Sequence, residues 1–302
     1  MSSIAHRLNA ICMLFVCYVI VNVAVANERN ELRVAIAQPA VQPGDVKGNV
    51  QRMRPLIAEA ARQKAELVVF SECGITGYDL KGIGAAAAIT LDHQALKSIA
   101  DMSREYNVVV IAGFHERRDN ALHNSAAVFY PDGKRIIQRK HLIFPPEKSI
   151  CPVVSGPRER TLFDINGARL ALLICSDAGI PKIFDELAEA GCDATVVITA
   201  GGGSTKLGMH QSELATPEGL DRYAKRAINV LSSFIISQCV RLDCGQIACN
   251  QMGWDDKIGY FHIGGSSIVD RTGEVTAVIP HRVVFEYQRP VVEVGSITIK
   301  SK

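Results

Sequence analysis

Apolar residues in this chain fall into short unbroken runs that end in turn residues. Leu32 to Gln38 (LRVAIAQ), Glu66 to Phe70 (ELVVF), Asn107 to Phe114 (NVVVIAGF), Leu170 to Cys175 (LALLIC) and Ala194 to Thr199 (ATVVIT) each show it. Runs this short and this apolar predict strands buried on both faces. Between them the spacing changes. Asn49 to Gln63 places Val50, Met53, Leu56, Ile57, Ala60 and Ala61 on one side of a helix, and Leu91 to Glu105 does the same with Leu96, Ile99 and Met102. Ile183 to Ala190 and Glu218 to Asn229 predict further helices, and Val230 to Val240 reads as another buried strand. Strand, helix, strand is the mark of βαβ units.

Hairpins supply the rest. Asn124 to Tyr130 and Lys134 to Gln138 flank Pro131-Asp132-Gly133, and Asn166-Gly167 joins Thr161 to Ile165 to the Cys175 strand. A third turn, Thr272-Gly273, is followed by β-rich stretches at Glu274 to Ile279, Arg282 to Tyr287 and Val291 to Ile297. The order repeats roughly once along the chain. It predicts an α/β protein of two similar halves, with two sheets face to face and helices outside.

The amino terminus stands apart. Ala10 to Val25 is almost wholly apolar and follows Arg7, and Ala24-Val25-Ala26 has the small-x-small form of a signal-peptidase site. Residues 1–26 are expected to be a signal peptide cleaved before Asn27, with 27–302 as one catalytic domain. The run is short against the roughly 20 residues of a membrane span. The expectation is export, to a periplasm or the extracellular space, or membrane anchoring if the segment stays uncleaved.

Composition narrows the function classes. Lys and Arg number 33 against 31 Asp and Glu, with no basic tract, so no nucleic-acid partner is expected. Of nine cysteines, Cys12 and Cys17 lie in the apolar leader. Cys239, Cys244 and Cys249 recur every five residues, which is no zinc spacing, and leaves a disulfide among them open. Ala200-Gly201-Gly202-Gly203 lacks the patterns of phosphate-binding loops.

Three ionisable residues share one kind of position, the end of a buried strand, where open α/β sheets place ligands. Cys175 precedes the turn Ser176-Asp177-Ala178-Gly179, whose amides suit an oxyanion. Glu72 follows ELVVF, where partial burial raises a carboxyl pKa toward that of a general base. Lys140 follows the second hairpin strand, and Glu147 follows two prolines that fix its place. Taken singly, Cys175 reads as well as a core thiol, Glu72 as a cap and Lys140 as a surface lysine.

Together, in this order, they resemble the nitrilase or carbon-nitrogen hydrolase superfamily. The resemblance rests on VVFSECGITGYD, NSAAVFYPDGK, RKHL, LLICSDAGIP, RYAKRAIN and GGSSIVDRTGEV, and covers nearly all of Leu32 to Tyr287. It implies a four-layer αββα sandwich, commonly paired into homodimers or larger homo-oligomers, working without metal or organic cofactor. It implies Glu72 as base, Cys175 as nucleophile, Lys140 with the Ser176 amide as oxyanion stabilisers, and Glu147 as the residue positioning substrate and lysine. The implied partner is a small-molecule amide. Nitrilases proper usually carry Trp-Glu after the cysteine. Ser176-Asp177 here points to the amidase branch, acting on a small amide or carbamoyl compound through a thioester. The alternatives are nitrile hydrolysis, a non-catalytic binding member of the same fold, and a Cys/His protease using His141 or His210.

Overall fold

The computed structural model describes residues 30–79, 81–150, 153–201, 216, 218–219, 222, 235–255, 260–281 and 290–300. Two sheets form its body. The first runs in the order β13-β1-β2-β3-β4-β5, from Val291–Thr298 (β13), Glu31–Gln38 (β1), Leu67–Val69 (β2), Val109–Arg118 (β3), Ala121–Phe129 (β4) and Arg135–Arg139 (β5). The second runs β10-β11-β9-β8-β7-β6, from Met252–Asp255 (β10), Tyr260–Val269 (β11), Gly245–Asn250 (β9), Ala194–Thr199 (β8), Ala168–Ile174 (β7) and Leu162–Ile165 (β6), with Val275–His281 (β12) paired to β11. Each sheet mixes parallel strands at its centre (β1, β2 and β3; β7, β8 and β9) with antiparallel strands outside.

The period-2 alternation of strand side chains decides which layer each residue joins. On β1, Val34 and Ile36 enter the core between the sheets, while Ala35 and Ala37 face helices. On β7, Leu170, Leu172 and Ile174 enter the shared core, and Ala171 and Leu173 pack under a helix. Helices α1 (Val46–Arg62) and α2 (Gln94–Tyr106) cover the first sheet through Met53, Leu56, Ile57, Leu96, Ile99 and Met102. The helix over Pro181–Glu189 covers the second through Ile183, Phe184 and Leu187. The result is the four-layer αββα sandwich. Each fully buried aliphatic side chain in these layers contributes roughly 1.5–3 kcal/mol of transfer free energy.

Local signals place the helix ends. Asp45 accepts the Gly48 N–H at 3.0 Å and starts α1 three residues earlier than apolar spacing alone predicts. His93 caps α2 through the Ala95 N–H, and Asn107 closes it in the left-handed conformation at φ +51°. Asn107 is therefore a cap rather than the start of β3.

One expected strand is corrected. Within Val230 to Val240, residues 235–240 are helical, part of a helix over 235–242, and 230–234 lie outside the described residues. The burial is helical too: Cys239 is buried and Leu242 half-buried, while Val240 is 56% exposed. Apolar density suggested a strand there, but the apolar positions 235, 239 and 242 follow a helical period. The strand that follows is β9, which the sequence reading did not assign. Of the helix expected over 218–229, residues 218, 219 and 222 are described and are helical. The strand expected at 282–287 and the leader at 1–26 lie outside the described residues, and β13 is found at the edge of the first sheet beside β1.

Candidate active site

Strand ends of both sheets converge on one cluster. The first sheet brings Glu72 from the turn after β2 and Lys140 from the residue after β5. The second brings Cys175 from the residue after β7. Glu147 lies in the first turn of a short helix over Pro145–Ile150.

The Glu72 turn is held close to β3. Phe70 N–H donates to the Ile111 carbonyl, and Gly113 N–H donates to the Ser71 carbonyl. A Cβ at Gly113 would fall 2.4 Å from the Cys73 nitrogen and 3.0 Å from Glu72 backbone atoms, so only glycine allows this approach. Cys73 then takes φ +48° and turns the chain away.

Lys140 is 1% exposed. Its Nζ donates to Glu72 Oε1 at 2.8 Å and to Glu147 Oε2 at 2.7 Å. Burial alone pulls a lysine pKa down, but the negative charges of Glu72 and Glu147 outweigh it and hold Lys140 above the usual ammonium range. Glu72 moves the other way from an ordinary carboxylate. Burial raises its pKa and the Glu147 charge adds to that, against the opposing pull of Lys140 and Asn124. Its second oxygen, Oε2, accepts the Ala200 N–H at 2.8 Å, at the end of β8. His262 on β11 braces that segment, with its ring nitrogens 2.9 Å from the carbonyl oxygens of Ala200 and Tyr78.

Cys175 opens a 3₁₀ turn over Cys175–Gly179, with φ +49°. For a residue with a side chain this conformation costs of order 1–3 kcal/mol and recurs at functional sites. Burial, followed by the Glu72 charge, pushes the thiol's pKa well above its ordinary value against the opposing pull of Lys140. The resting group is therefore the thiol, and a thiolate requires proton transfer to a base.

Two residues that sequence reasoning left without a role tie this cluster together. Asn124 on β4 donates from Nδ2 to Glu72 Oε1 at 2.7 Å and to Glu147 Oε1 at 2.9 Å, and its Oδ1 accepts the Cys73 thiol at 3.5 Å. Asp177 is fully buried in the turn after Cys175. Its Oδ1 accepts the N–H groups of His141 and Leu142 at 2.9 and 2.8 Å, and its Oδ2 accepts Arg160 at 3.0 Å. Ser176 adds a hydroxyl bond to the Leu142 carbonyl. The turn carrying Cys175 is thus latched to the segment that leaves Lys140. Asn124 carried a readable signal, a polar side chain heading a buried apolar run; Asp177 carried none beyond its turn propensity.

Other candidates fall elsewhere. His141 directs Nδ1 to the Gly156 carbonyl at 3.0 Å, and His210 lies outside the described residues. Cys249 is buried between the sheets, whereas Cys239 and Cys244 are buried elsewhere, and all three are free thiols. Among the described residues no group of His, Cys, Asp or Glu is arranged to hold a metal ion, and no helix is long and apolar enough to cross a membrane.

Comparisons with known proteins bear on the family and the fold. The carbon-nitrogen hydrolase family profile matches residues 33–283. A hydrolase from the pqqF 5' region of Pseudomonas protegens is 30% identical over 56% of this chain and 59% of its own length. An arylacetonitrilase of Aspergillus niger is 31% identical over 48% of each chain, so the match spans about half the length of these curated relatives. An (R)-stereoselective amidase from a Pseudomonas species is 28% identical over 81% of this chain and 79% of its own. In solved structures, an amidase from a Nesterenkonia species shares the fold with a TM-score of 0.70 at 18% identity, covering 91% of this chain and 93% of that one.

Proposed function

Since the chain belongs to the carbon-nitrogen hydrolase family, we propose that it cleaves the C–N bond of a small amide or carbamoyl compound with Glu72, Lys140 and Cys175. The observation that carries this reading is the buried carboxylate of Glu72, which accepts the Lys140 ammonium at 2.8 Å and whose charge acts on the Cys175 thiol.

Glu72 takes the Sγ proton as Cys175 attacks the carbonyl carbon. The raised pKa of Glu72 brings it closer to that of the thiol and eases the transfer. Negative charge develops on the substrate oxygen, where the Lys140 ammonium and the Ser176 N–H stabilise it in a water-poor site. Glu72 returns its proton to the departing nitrogen, and ammonia or an amine leaves a thioester on Cys175. Glu72, again a carboxylate, deprotonates water for attack on the thioester, and the acid leaves as the thiol regains its proton. Glu147 keeps the ammonium aimed by accepting its second hydrogen bond.

Ser176-Asp177 after the nucleophile, in place of the Trp-Glu of nitrilases proper, supports amides over nitriles. A panel of primary amides, carbamoyl compounds and nitriles, read by ammonia release, tests the assignment. Turnover of amides with none on nitriles is expected. Turnover confined to nitriles overturns it, and a fully active Cys175→Ala protein removes the mechanism.

Export through residues 1–26 belongs to the same reading, supported by the apolar run Ala10 to Val25 and the Ala24-Val25-Ala26 site. A mature protein beginning at Asn27 is the expected product, and Met1 retained in a membrane fraction refutes it. Assembly as a homodimer or larger homo-oligomer is expected in sedimentation.

A further inference from the structure

Three cysteines outside the active site meet at the opposite end of the second sheet. Strands β8 and β9 run parallel with Ala194 beside Gly245, and the Gly245 N–H donates to the Asp193 carbonyl at 2.8 Å. Cys192 and Cys244 precede these strands. Both are buried, at 0% and 6% exposure, in the apolar cluster under the Pro181–Glu189 helix, beside Leu187 and Val197. Cys192 Sγ donates to the Ala194 carbonyl at 3.1 Å and Cys244 Sγ to the Gly245 carbonyl at 3.7 Å, the two residues paired at the start of these strands. Cys239 sits one turn away, its carbonyl accepting the Cys244 N–H at 3.2 Å. The five-residue interval had offered Cys239, Cys244 and Cys249 as a set. Alternation along β9 breaks that set: Cys249 enters the core between the sheets, toward the Ala37 carbonyl, while Cys244 faces the helix layer and Cys192.

We propose that Cys192 and Cys244 are a disulfide site, joining the starts of β8 and β9 when the chain folds in an oxidising environment. The oxidant is a low-molecular-weight disulfide or a protein dithiol oxidant. One cysteine thiolate attacks its S–S bond and expels one thiolate, giving a mixed disulfide. The second cysteine thiolate attacks the cysteine sulfur of that intermediate and expels the other. The two protons lost by Cys192 and Cys244 end on the two thiols released, so the oxidant is reduced by two electrons. The pair is enclosed in the finished fold, so the reaction belongs to folding, before the helix closes over it. The bond closes a loop of about 50 residues, a length at which a cross-link removes substantial chain entropy from the unfolded state. It lies at the far end of β8 from Ala200 and Glu72, and so leaves the nucleophile Cys175 unpaired.

The test refolds the reduced, denatured protein in a glutathione redox buffer, alkylates free thiols and maps peptides without reduction. This reads the pairing whether or not the leader directs export. A single species joining the Cys192 and Cys244 peptides, lighter by two hydrogen atoms, with Cys175 alkylated, is expected. Alkylation of both Cys192 and Cys244 in active refolded protein, or a bond from Cys244 to Cys239, overturns the proposal. As a second readout, dithiothreitol should lower the Tm of the oxidised protein by about 5 °C or more and leave that of a Cys192→Ala/Cys244→Ala variant unmoved. Equal shifts in both count against the bond. If the double variant does not fold, the peptide map decides alone.

Discussion

Asn124 lies directly across the β4–β5 pair from Lys140, whose backbone N–H it accepts at 2.8 Å, and its side-chain amide donates to both carboxylates that hold that lysine's ammonium. His115 occupies the next place in the same row, opposite Asn124 on β3, and burial pulls its pKa down to about 4, so it stays neutral beside the charged trio. Asn124 thus lets two carboxylates share one cation without facing each other unscreened.

Replacing Asn124 with Leu removes a donor that lowers the Glu72 pKa. The Glu72 pKa then rises further, and less carboxylate is present at neutral pH. The acidic limb of kcat/KM should shift to higher pH, with a loss at pH 7 of about ten-fold or more, each pKa unit being worth about 1.4 kcal/mol. A pH–rate profile checks it; a drop in rate with an unmoved limb would assign Asn124 a purely structural part.

Glu72→Gln separates proton transfer from thiol reactivity. The Glu72 charge raises the Cys175 pKa and Lys140 lowers it, so removing the carboxylate leaves the lysine's influence less opposed. Turnover should fall about 10²–10⁴-fold with the loss of the base. Alkylation of Cys175 by iodoacetamide at pH 7 should proceed at least as fast as in the parent. Turnover unchanged in the variant would mean that Glu72 does not act as the base for this thiol.

Lys140→Met leaves Glu72 and Glu147 buried without their cation. Breaking such a buried pair costs about 3–5 kcal/mol. The sign of the pH effect follows from Glu72, whose folded pKa is already raised and rises more without Lys140. A carboxyl raised on folding is stabilising below its unfolded pKa and loses that contribution as pH climbs through the folded one. The variant should therefore lose Tm more steeply than the parent as pH climbs above the ordinary carboxyl range, as followed by thermal melts across that rise.

Asp177→Asn weakens the latch between the Cys175 turn and the chain leaving Lys140. It also strands Arg160, whose side chain is 2% exposed against Asp177 at 3.0 Å. Destabilisation of about 3 kcal/mol in urea melts is expected, together with a kcat/KM loss larger than any change in KM. Unchanged kinetics would show that the turn holds its place without the latch.

Much of the fold was legible along the chain. The short apolar runs gave strands β1, β2, β3, β7 and β8 because a strand buried on both faces leaves no other pattern. The segment at 235–242 was misread because apolar density and apolar period pointed to different elements. Glu72, Lys140 and Cys175 were legible as strand-end residues, whereas Asn124 was legible only as a polar residue heading an apolar run, since its role depends on Glu72 and Glu147 elsewhere in the sequence.

By itself the sequence determined the alternation of strands and helices, and the placing of a carboxylate, an ammonium and a thiol each just past a buried strand. That much follows from local periodicity and turn chemistry. The tertiary structure alone decided that these ends meet. Glu72 and Lys140 belong to one sheet and Cys175 to the other, and only the packing of Val34, Ile36, Leu170 and Leu172 in the shared core sets the two sheets against each other. Contacts between residues so distant in the chain leave no periodic trace, because they arise from how whole faces fit and not from the step between neighbours.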